Sequence, residues 1–410
     1  MNSIYRRTWF ALGLCSILLF GALTFGIRYL LYADKWVVYQ GSPHVYNDQG
    51  TMNTGIVTDR NGTMLLDASG DVTYAGSELL RKSTVHLLGD REGNIADRIL
   101  PYYSDLMLGY DKLNGTYSAK SGEGSCSLTI SGQVQEVALQ ALNGKKGTVG
   151  VYNYKTGEIL CAVTSPTFDP DHVPDIENDT TGQYDGAYIN RLFYSSYTPG
   201  SIFKLITTMA ALEHIPGIED EKFVCEGQVI INGEVITCPK AHGTVSLKEA
   251  LASSCNCTYG TLSVRLGAEI LTATAKKAGI TDKLSFDGII TRAGSYDLTA
   301  ADNNGIAWSG IGQYTDLVNP CQYMMYMGVL GGGGKAAYPY LVSEVRCGEK
   351  VTYQAKTRTT AQLFSQEAVL QLQRMMRNNV ETVYGTGAFP KVNVCAKSGT
   401  AETGATLCLP

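Results

Sequence analysis

The sequence predicts an α+β fold, in which an antiparallel sheet is flanked by helices and preceded by one transmembrane helix and a small N-terminal domain. Three observations indicate it. An uncharged apolar run opens the chain, and a mixed segment rich in Tyr and Gly follows it. From about Leu128 onward, helical and strand-like patterns alternate, with hairpin patterns at both ends of that region. Such interleaving favours a sheet covered by helices.

The first element is the uncharged run from Thr8 to Ile27. It has about the 20 residues that a helix needs to cross a bilayer core. Arg6 and Arg7 precede it, which places the N-terminal tail in the cytoplasm by the positive-inside rule. A signal peptide would have a shorter apolar region and a small-residue cleavage site. We therefore expect an uncleaved, single-pass anchor in the cell membrane, with the chain from Arg28 onward outside the cytoplasm.

Three units are predicted from this patterning. Residues 1–35 form the cytoplasmic tail and anchor, residues 36–120 a small pedestal domain, and residues 121–410 a large α+β domain. Within the pedestal, a short helix is predicted from Asn94 to Leu100, ended or kinked by Pro101.

The large domain opens with a helix and a hairpin. Apolar residues at helical spacing predict a helix over Ser131–Leu142, with Ser131 as its N-cap. Two strands are predicted next, Val149–Tyr152 and Ile159–Val163, joined by a turn.

Charge and cysteines narrow the function classes. The net charge of -5 and the absence of a basic tract beyond the two N-terminal arginines argue against a nucleic-acid partner. Cys225 and Cys238 flank a predicted hairpin whose Asn232-Gly233 turn is of type I′, so a disulfide between them is one of two open alternatives. Cys255-Asn256-Cys257 is compatible with a metal site, but no second Cys or His pair at ligand spacing accompanies it, and we expect no metal.

Three short motifs carry the predicted chemistry, and Ser201-Ile202-Phe203-Lys204 is the first. Pro199-Gly200 precedes it, so Ser201 falls in the first turn of an apolar helix. Lys204 lies one turn further on the same face. A serine hydroxyl needs a base to become a nucleophile, and lysine serves only when desolvation or a nearby positive charge makes its neutral form available. Alone, this motif is more often a helix cap and an exposed lysine.

The second motif is Ser254-Cys255-Asn256, in a polar break after a helix over Leu247–Ala252. Two polar side chains at i and i+2 can face one cleft from a loop. Ser254 is a candidate proton relay to a leaving amine, and Asn256 a candidate ligand of a substrate amide or of Lys204.

The third motif is Lys397-Ser398-Gly399-Thr400, after a strand-like run over Val392–Ala396. Lys397 is a candidate for supplying positive charge near Lys204 and for orienting a substrate carboxylate. Gly399 lets an extended ligand approach the backbone closely. The backbone N–H groups of Ser201 and Thr400 are the candidate oxyanion donors.

In this order, and with spacings of roughly 50 and 140 residues, the motifs match the serine acyl-transfer pattern of penicillin-binding proteins and β-lactamases. Nearly all of the chain after the anchor resembles class B penicillin-binding proteins. Further segments carry the resemblance: Thr54-Gly55-Ile56, Lys155-Thr156-Gly157-Glu158-Ile159-Leu160, Tyr197-Thr198-Pro199-Gly200 and Gly310-Ile311-Gly312-Gln313. It implies the penicillin-binding transpeptidase fold for residues 121–410.

The resemblance also implies an activity. Ser201 would form an acyl-enzyme with a peptidoglycan stem peptide ending in D-Ala-D-Ala, and an amine of a second stem would resolve it. Lys204, Ser254, Asn256 and Lys397 would be catalytic, and Ser398, Gly399 and Thr400 would bind substrate. β-Lactams would acylate Ser201 as substrate mimics. A SEDS-family membrane glycosyltransferase is the expected partner, and no cofactor is implied.

One departure bears on activity. Members of the family continue for several tens of residues after the third motif, whereas residues 405–410 do not resemble that continuation. The sequence is therefore expected to be C-terminally incomplete, without the last strands and helix. The alternatives are a hydrolase on the same fold (a D,D-carboxypeptidase or a β-lactamase) and, if the end is real, a non-catalytic scaffold.

Overall fold

The structure, a computed structural model, describes residues 2–37, 42, 53–95, 99–111, 113–117 and 123–401. It begins with helix α1, Asn2–Val37, which contains a 30-residue apolar stretch, Ile4–Ala33, and an 18-residue window within that stretch has a mean hydropathy of 2.2. Large apolar side chains along it are exposed, as at Phe10 and Phe20. This helix is long and apolar enough to cross a membrane.

The helices after α1 are α2 (Glu78–Leu88), α3 (Ile99–Leu108), α4 (Gly132–Leu142), α5 (Arg191–Tyr194), α6 (Lys204–His214), α7 (Leu247–Ala252), α8 (Asn256–Lys277), α9 (Asn303–Ile311), α10 (Pro320–Gly331) and α11 (Gln366–Asn379). The strands are β1 (Gly55–Thr58), β2 (Met64–Ala68), β3 (Thr73–Tyr74), β4 (Tyr110–Asp111), β5 (Thr116–Tyr117), β6 (Gly124–Leu128), β7 (Gly147–Tyr152), β8 (Ile159–Ser165), β9 (Lys222–Cys225), β10 (Gln228–Ile231), β11 (Glu234–Thr237), β12 (Gly243–Ser246), β13 (Ser285–Phe286), β14 (Ile289–Ile290), β15 (Val342–Cys347) and β16 (Lys350–Gln354).

The largest sheet in the described part of the chain has the order β16-β15-β6-β1-β2-β3. Its neighbours are antiparallel except β1 and β6, which are parallel. Parallel neighbours need a crossover connection, and α2 and α3 lie in the segment between these two strands. The sheet flanked by helices is confirmed, but the sheet is mixed rather than antiparallel.

This sheet joins distant parts of the sequence. Strands β1, β2 and β3 come from the range predicted as a pedestal, whereas β15 and β16 come from far along the large domain. A core of buried apolar residues, including Leu65, Met107 and Val345, covers it. The predicted boundary near residue 120 therefore falls within one continuous sheet, and the division into domains stays a prediction.

A second core surrounds helix α6. Every residue from Lys204 to Ala211 is buried, and α8, α9, α10 and α11 contribute to the same apolar cluster. A helix that is apolar nearly all round belongs in the centre of its domain. The first motif thus stands at the start of a helix buried in this core.

Local predictions for the opening of the large domain are confirmed. Helix α4 and the hairpin of β7 and β8 lie where the patterns place them. The hydroxyl of Ser131 makes no capping hydrogen bond, however. Instead, the Asp59 carboxylate accepts from the N–H of Gly132 at 2.9 Å and so caps α4 from another part of the chain.

The short helix predicted over Asn94–Leu100 is wrong. Asn94 is not helical, and α3 runs from Ile99 through Pro101 to Leu108, while residues 96–98 lie outside the described part. Pro101 is tolerated because it stands in the first turn, where its missing N–H has no intrahelical partner to lose.

The hairpin turn at Asn232-Gly233 is confirmed, with φ of 54° and 82°. It joins β10 to β11, whereas Cys225 ends β9, which pairs with β12. Cys225 and Cys238 are therefore not on facing strands, and both are free thiols.

Candidate active site

The first motif forms the entrance to helix α6. A 3-10 turn, Gly200–Phe203, leads directly into the helix and carries Ser201. Gly200 has φ of 55°, and a Cβ there would lie 2.3 Å from the carbonyl oxygen of Thr400. The turn therefore needs glycine, both for its backbone conformation and for the close approach of the third motif.

The Lys204 amine contacts four oxygen atoms. Its Nζ lies 3.2 Å from Ser201 Oγ, 2.7 Å from the Ser254 carbonyl oxygen, 3.1 Å from Ser254 Oγ and 2.8 Å from Asn256 Oδ1. An ammonium group has three N–H donors and cannot serve all four oxygens. A neutral amine donates two N–H groups, which suit the two shortest contacts, and keeps a lone pair for a serine hydroxyl. Either form can therefore satisfy three of the four contacts, and in its neutral form Lys204 is placed to accept the Ser201 proton.

Burial supports the neutral form of this amine. Lys204 is completely buried, and its Nζ lies 5.5 Å from the centre of the Tyr259 ring. Burial lowers the pKa of Lys204 to about 7, and the positive charge of Lys397 contributes in the same direction. An appreciable fraction of the amine is therefore neutral near pH 7.

The second motif sits between two helices. A capping box of Ser246 and Glu249 starts α7, and Cys255 is the N-cap of α8, so Ser254 is left in a tight break. Ser254 has φ of 54°, in the left-handed region that non-glycine residues seldom occupy. Held there, it offers its carbonyl oxygen and its hydroxyl to the same amine.

Ser254 also connects the two lysines. Its Oγ lies 3.1 Å from Lys204 Nζ and 3.1 Å from Lys397 Nζ. Lys397 is 3% exposed, and its amine donates to the Ser398 carbonyl oxygen at 2.7 Å. Burial lowers the pKa of Lys397 to about 8. The hydroxyl of Ser254 can therefore pass a proton between Lys204 and the third motif.

The third motif packs against the first. A Cβ on Gly399 would lie 2.9 Å from Ile202 Cγ2 and 3.1 Å from the Pro199 carbonyl oxygen, so glycine is required by close contact. The Thr400 carbonyl oxygen accepts from Gln313 Nε2 at 3.3 Å. These contacts bring the backbone of the third motif alongside Ser201.

The strand predicted over Val392–Ala396 is wrong, because residues 393–401 belong to neither helix nor strand. The hydrogen bonds of Ala396 go to a helix instead. Its N–H donates to the Met376 carbonyl oxygen at 3.4 Å, and its carbonyl oxygen accepts from Asn379 Nδ2 at 2.9 Å. Helix α11 therefore supports this segment.

The structure brings all eight predicted site residues to one place, and two tyrosines join them that the sequence did not single out. Tyr259 lies against Lys204 from helix α8. The Tyr384 hydroxyl accepts from the Ser398 N–H at 2.9 Å and lies 2.9 Å from Ser398 Oγ. Neither tyrosine belongs to a short motif, so no sequence pattern pointed to them.

The expectation of no metal rested on the lack of a second Cys or His pair at ligand spacing in the sequence. Sequence spacing does not report which cysteines meet in the folded chain. Cys225 and Cys238 come beside Cys255 and Cys257, and the four sulfur atoms lie within 4.8 Å of one another. The spacing along the sequence is unlike that of common zinc motifs, which is why the pattern was missed.

The fold and the site together define a class of protein. In solved structures the fold is that of the penicillin-binding-protein transpeptidases. The imipenem acyl-enzyme of penicillin-binding protein A from M. tuberculosis has a TM-score of 0.75 at 22% identity, covering 87% of this chain and 89% of that one. The D,D-transpeptidase domain of a peptidoglycan glycosyltransferase from Eggerthella lenta has a TM-score of 0.74 at 24% identity, covering 85% and 87%.

The chain belongs to the penicillin binding protein transpeptidase domain family, which it matches over residues 147–407. Among curated proteins, the peptidoglycan D,D-transpeptidase PbpA of Mycobacterium tuberculosis is 27% identical over 307 residues, 68% of this chain. Stage V sporulation protein D of Bacillus subtilis is 28% identical over 298 residues, 67% of this chain and 44% of its own length. The chain spans 61% of the length of PbpA. The resemblance to class B penicillin-binding proteins is confirmed.

Proposed function

We propose that this chain is a peptidoglycan D,D-transpeptidase that crosslinks stem peptides through an acyl-enzyme on Ser201. One observation carries the proposal above the others. The completely buried amine of Lys204 lies 3.2 Å from Ser201 Oγ, and burial lowers its pKa to about 7. A base of lowered pKa beside a helix-start serine is what nucleophilic attack on an amide requires.

Acylation begins with Ser201. Its Oγ attacks the carbonyl carbon of the penultimate D-Ala while its proton passes to neutral Lys204. The C–N bond to the terminal D-Ala then breaks, and the leaving amine needs a proton. Ser254, whose hydroxyl lies between Lys204 and Lys397, is the proposed relay. The products are an ester on Ser201 and free D-Ala.

The proposed oxyanion hole consists of the backbone N–H groups of Ser201 and Thr400. The close packing of Gly399 on Pro199 and Ile202 supports it, because it brings the two backbones side by side. Two N–H groups directed at the developing oxyanion are the usual means of stabilising a tetrahedral intermediate. Ser398, Gly399 and Thr400 would bind the extended substrate, and Lys397 would attract its terminal carboxylate.

Asn256 has a positioning role in this scheme. Its Oδ1 accepts from Lys204 at 2.8 Å, and its Nδ2 donates to the Thr237 carbonyl oxygen at 2.8 Å. The amide is therefore fixed at both ends and holds the Lys204 amine in place. In the second half-reaction, the amine of a neighbouring stem attacks the ester carbon and passes its proton to Lys204. The C–Oγ bond then breaks, and Lys204 returns the proton to Ser201 Oγ as the crosslinked amide leaves.

The apolar helix α1 supports a location outside the cytoplasm for the catalytic region. Helix α1 is proposed as a single-pass anchor, and residues 36–120 as a pedestal between membrane and site. The catalytic region would then face the peptidoglycan. A SEDS-family membrane glycosyltransferase, which would supply uncrosslinked strands, is the proposed partner.

Labelling with a fluorescent penicillin tests the proposal. The wild-type chain should take up label covalently and keep it, Ser201→Ala should take up none, and Ser253→Ala should behave as wild type. Ser253 is the matched control because it neighbours the second motif while its hydroxyl donates to the Glu249 carbonyl oxygen of the preceding helix. Rapid loss of label would point to a β-lactamase instead. Folded wild-type protein that takes up no label would contradict both the transpeptidase and the β-lactamase, and would support a non-catalytic scaffold.

A further inference from the structure

Four cysteine thiols converge directly beside the second motif. Cys225 ends β9, Cys238 follows β11, and Cys255 and Cys257 occupy the N-cap and first turn of α8. Cys225, Cys255 and Cys257 are at most 2% exposed, and Cys238 is half-buried. Three separate segments thus contribute sulfur to one enclosed point.

The distances suit a single metal ion. All four sulfur atoms lie within 4.8 Å of one another, and Cys238 Sγ is 3.7 Å from Cys255 Sγ. Four thiolates around one Zn²⁺, each at about 2.3 Å, form a tetrahedron whose edges are about 3.8 Å. A disulfide requires its sulfur atoms at about 2.05 Å. A cluster of several iron atoms would hold its thiolates farther apart than a single ion does.

Hydrogen-bond donors surround the sulfur atoms. The N–H of Asn256 donates to Cys238 Sγ at 2.9 Å. The N–H and the hydroxyl of Thr258 donate to Cys255 Sγ at 3.4 and 3.3 Å. Such donors orient metal-bound thiolates and are a regular feature of metal sites. His242 Nδ1, 3.4 Å from Cys225 Sγ, is a further neighbour of the cluster.

The strands around the cluster pack only partly against the core, through buried side chains such as Ile236 and Val245. Residues 222–246 form two two-stranded sheets, β9 with β12 and β10 with β11. Val224, Ile230 and Val235 of these strands are exposed. Two-stranded sheets are marginally stable by themselves, and a metal that joins them to helix α8 would compensate for the small apolar core.

We propose that Cys225, Cys238, Cys255 and Cys257 bind one Zn²⁺ ion in a closed, four-coordinate structural site. The four thiols release their protons to solvent as they bind, and the site leaves no position open for a substrate. Because the N–H of Asn256 donates to one of the ligands, the ion also fixes the loop that presents Ser254 and Asn256 to Lys204. The site thus supports the second motif from behind.

Metal analysis of the full-length chain tests the site. The protein is purified in detergent under reducing conditions, supplied with zinc and dialysed against metal-free buffer. Wild type and Cys321→Ser, a buried cysteine of α10 outside the cluster, should each retain about one Zn²⁺ per chain. The double variant Cys255→Ser/Cys257→Ser should lose it. Retention of iron in place of zinc, or a metal-free wild type with these cysteines in disulfides, would overturn the assignment.

Spectroscopy on wild type covers the case in which the double variant fails to fold. Chain refilled with Co²⁺ after zinc removal should show thiolate-to-cobalt charge transfer and the visible bands of tetrahedral coordination. Zinc removal should also lower the unfolding temperature, and added Zn²⁺ but not Mg²⁺ should restore it. A cobalt spectrum without thiolate bands, or an unfolding temperature indifferent to zinc, would contradict a structural site made of four cysteines.

The effect of the ion on labelling rests on the proposed function, whereas the zinc content does not. Zinc-free chain should acylate more slowly with fluorescent penicillin and should recover when zinc is restored. A chain that holds zinc but takes no penicillin would contradict the transpeptidase proposal and leave the metal site supported.

Discussion

Lys204 combines complete burial with four oxygen contacts. Burial affects the pKa of its amine, and the oxygen contacts fix the position of the amine. Burial removes water from the amine and lowers its pKa to about 7, while Ser201, Ser254 and Asn256 provide oxygen atoms around it. The sequence predicted Lys204 as the base from its place one turn after Ser201. It did not predict that the Ser254 carbonyl oxygen would make the shortest contact, because that depends on the left-handed backbone of Ser254.

Replacing the amine should slow acylation strongly while preserving the fold. Lys204→Met keeps the length and apolar packing of the buried side chain but removes the base. We expect the rate of fluorescent-penicillin acylation to fall by about 10²- to 10⁴-fold, the usual contribution of a general base. Stopped-flow labelling measures it, with Lys248→Met, at an exposed position, as control. Acylation by Lys204→Met within a few-fold of wild type would exclude Lys204 as the base.

The two buried lysines should also shape the pH dependence. Lys204, with a pKa of about 7, must lose its proton to act, so the acylation rate should rise through that pH. Lys397, with a pKa of about 8, must keep its proton to attract a carboxylate, so the rate should fall above that pH. The acylation rate plotted against pH should therefore be a narrow bell-shaped curve. Its two apparent pKa values belong to the coupled lysine pair and not to either lysine alone. A rate that is flat from about pH 6 to about pH 9 would contradict this assignment.

The third motif is held by hydrogen bonds to a helix and to the turn that follows it, and not by pairing with a neighbouring strand. Ala396 bonds to helix α11, and Tyr384, which follows that helix, bonds to Ser398. The apolar alternation before Lys397 predicted a strand. A local sequence pattern of this kind indicates an extended backbone but not the partners of its hydrogen bonds. Which groups take its hydrogen bonds is decided by neighbours far away in sequence.

Tyr384 gives a test of this support. Tyr384→Phe removes a hydroxyl that accepts from the Ser398 N–H, and a lost hydrogen bond of this kind costs about 1 kcal/mol. We expect the second-order acylation rate constant to fall by about 5-fold with little change in unfolding temperature. Tyr102→Phe, at an exposed position on α3, is the control. Equal rates for the two variants would show that Tyr384 does not position the third motif.

The molecule as a whole is held together by contacts across the predicted domain boundary. The six-stranded sheet is one of them, and an ion pair is another. Arg81 of α2 donates to both carboxylate oxygens of Asp169 at 2.7 Å, and both side chains are nearly buried. Bidentate, shielded pairs are far more sensitive to loss of one partner than exposed pairs are.

Asp169→Asn should therefore destabilise the fold by about 2 kcal/mol, because it removes the bidentate partner of the shielded Arg81 charge and leaves only the ion pair with Asp171 at 3.2 Å. Asp185→Asn, which breaks the exposed pair with Lys146, should cost less than about 1 kcal/mol. Thermal or denaturant unfolding compares the two. Equal losses would show that the pair does not join the two parts of the molecule.

The same pair gives a pH dependence of stability. The hydrogen bonds from Arg81 hold the pKa of Asp169 well below its ordinary value of 3.8. A carboxyl with a lowered folded-state pKa stabilises the protein above its unfolded value and loses that contribution as the pH falls below it. Wild type should thus lose stability below about pH 3.8 more steeply than Asp169→Asn. Parallel acid-unfolding curves would contradict this linkage.

Features set by neighbours along the chain were predictable from sequence. The apolar helix α1, helix α4, the hairpins at Asn232-Gly233 and after Tyr152, and the placement of Ser201 one turn before Lys204 all depend on periodicity and turn chemistry within a few residues. The three motifs identified the site for the same reason, since their residue types carry the chemistry.

Only the tertiary structure decided how these pieces meet. It made the sheet mixed, placed the cap of α4 on Asp59, attached the third motif to α11 and brought four cysteines to one point. Each of these depends on contacts between residues separated by tens to hundreds of positions. Such contacts are fixed by packing and by the pairing of buried polar groups over the whole molecule, and a local pattern carries no record of them.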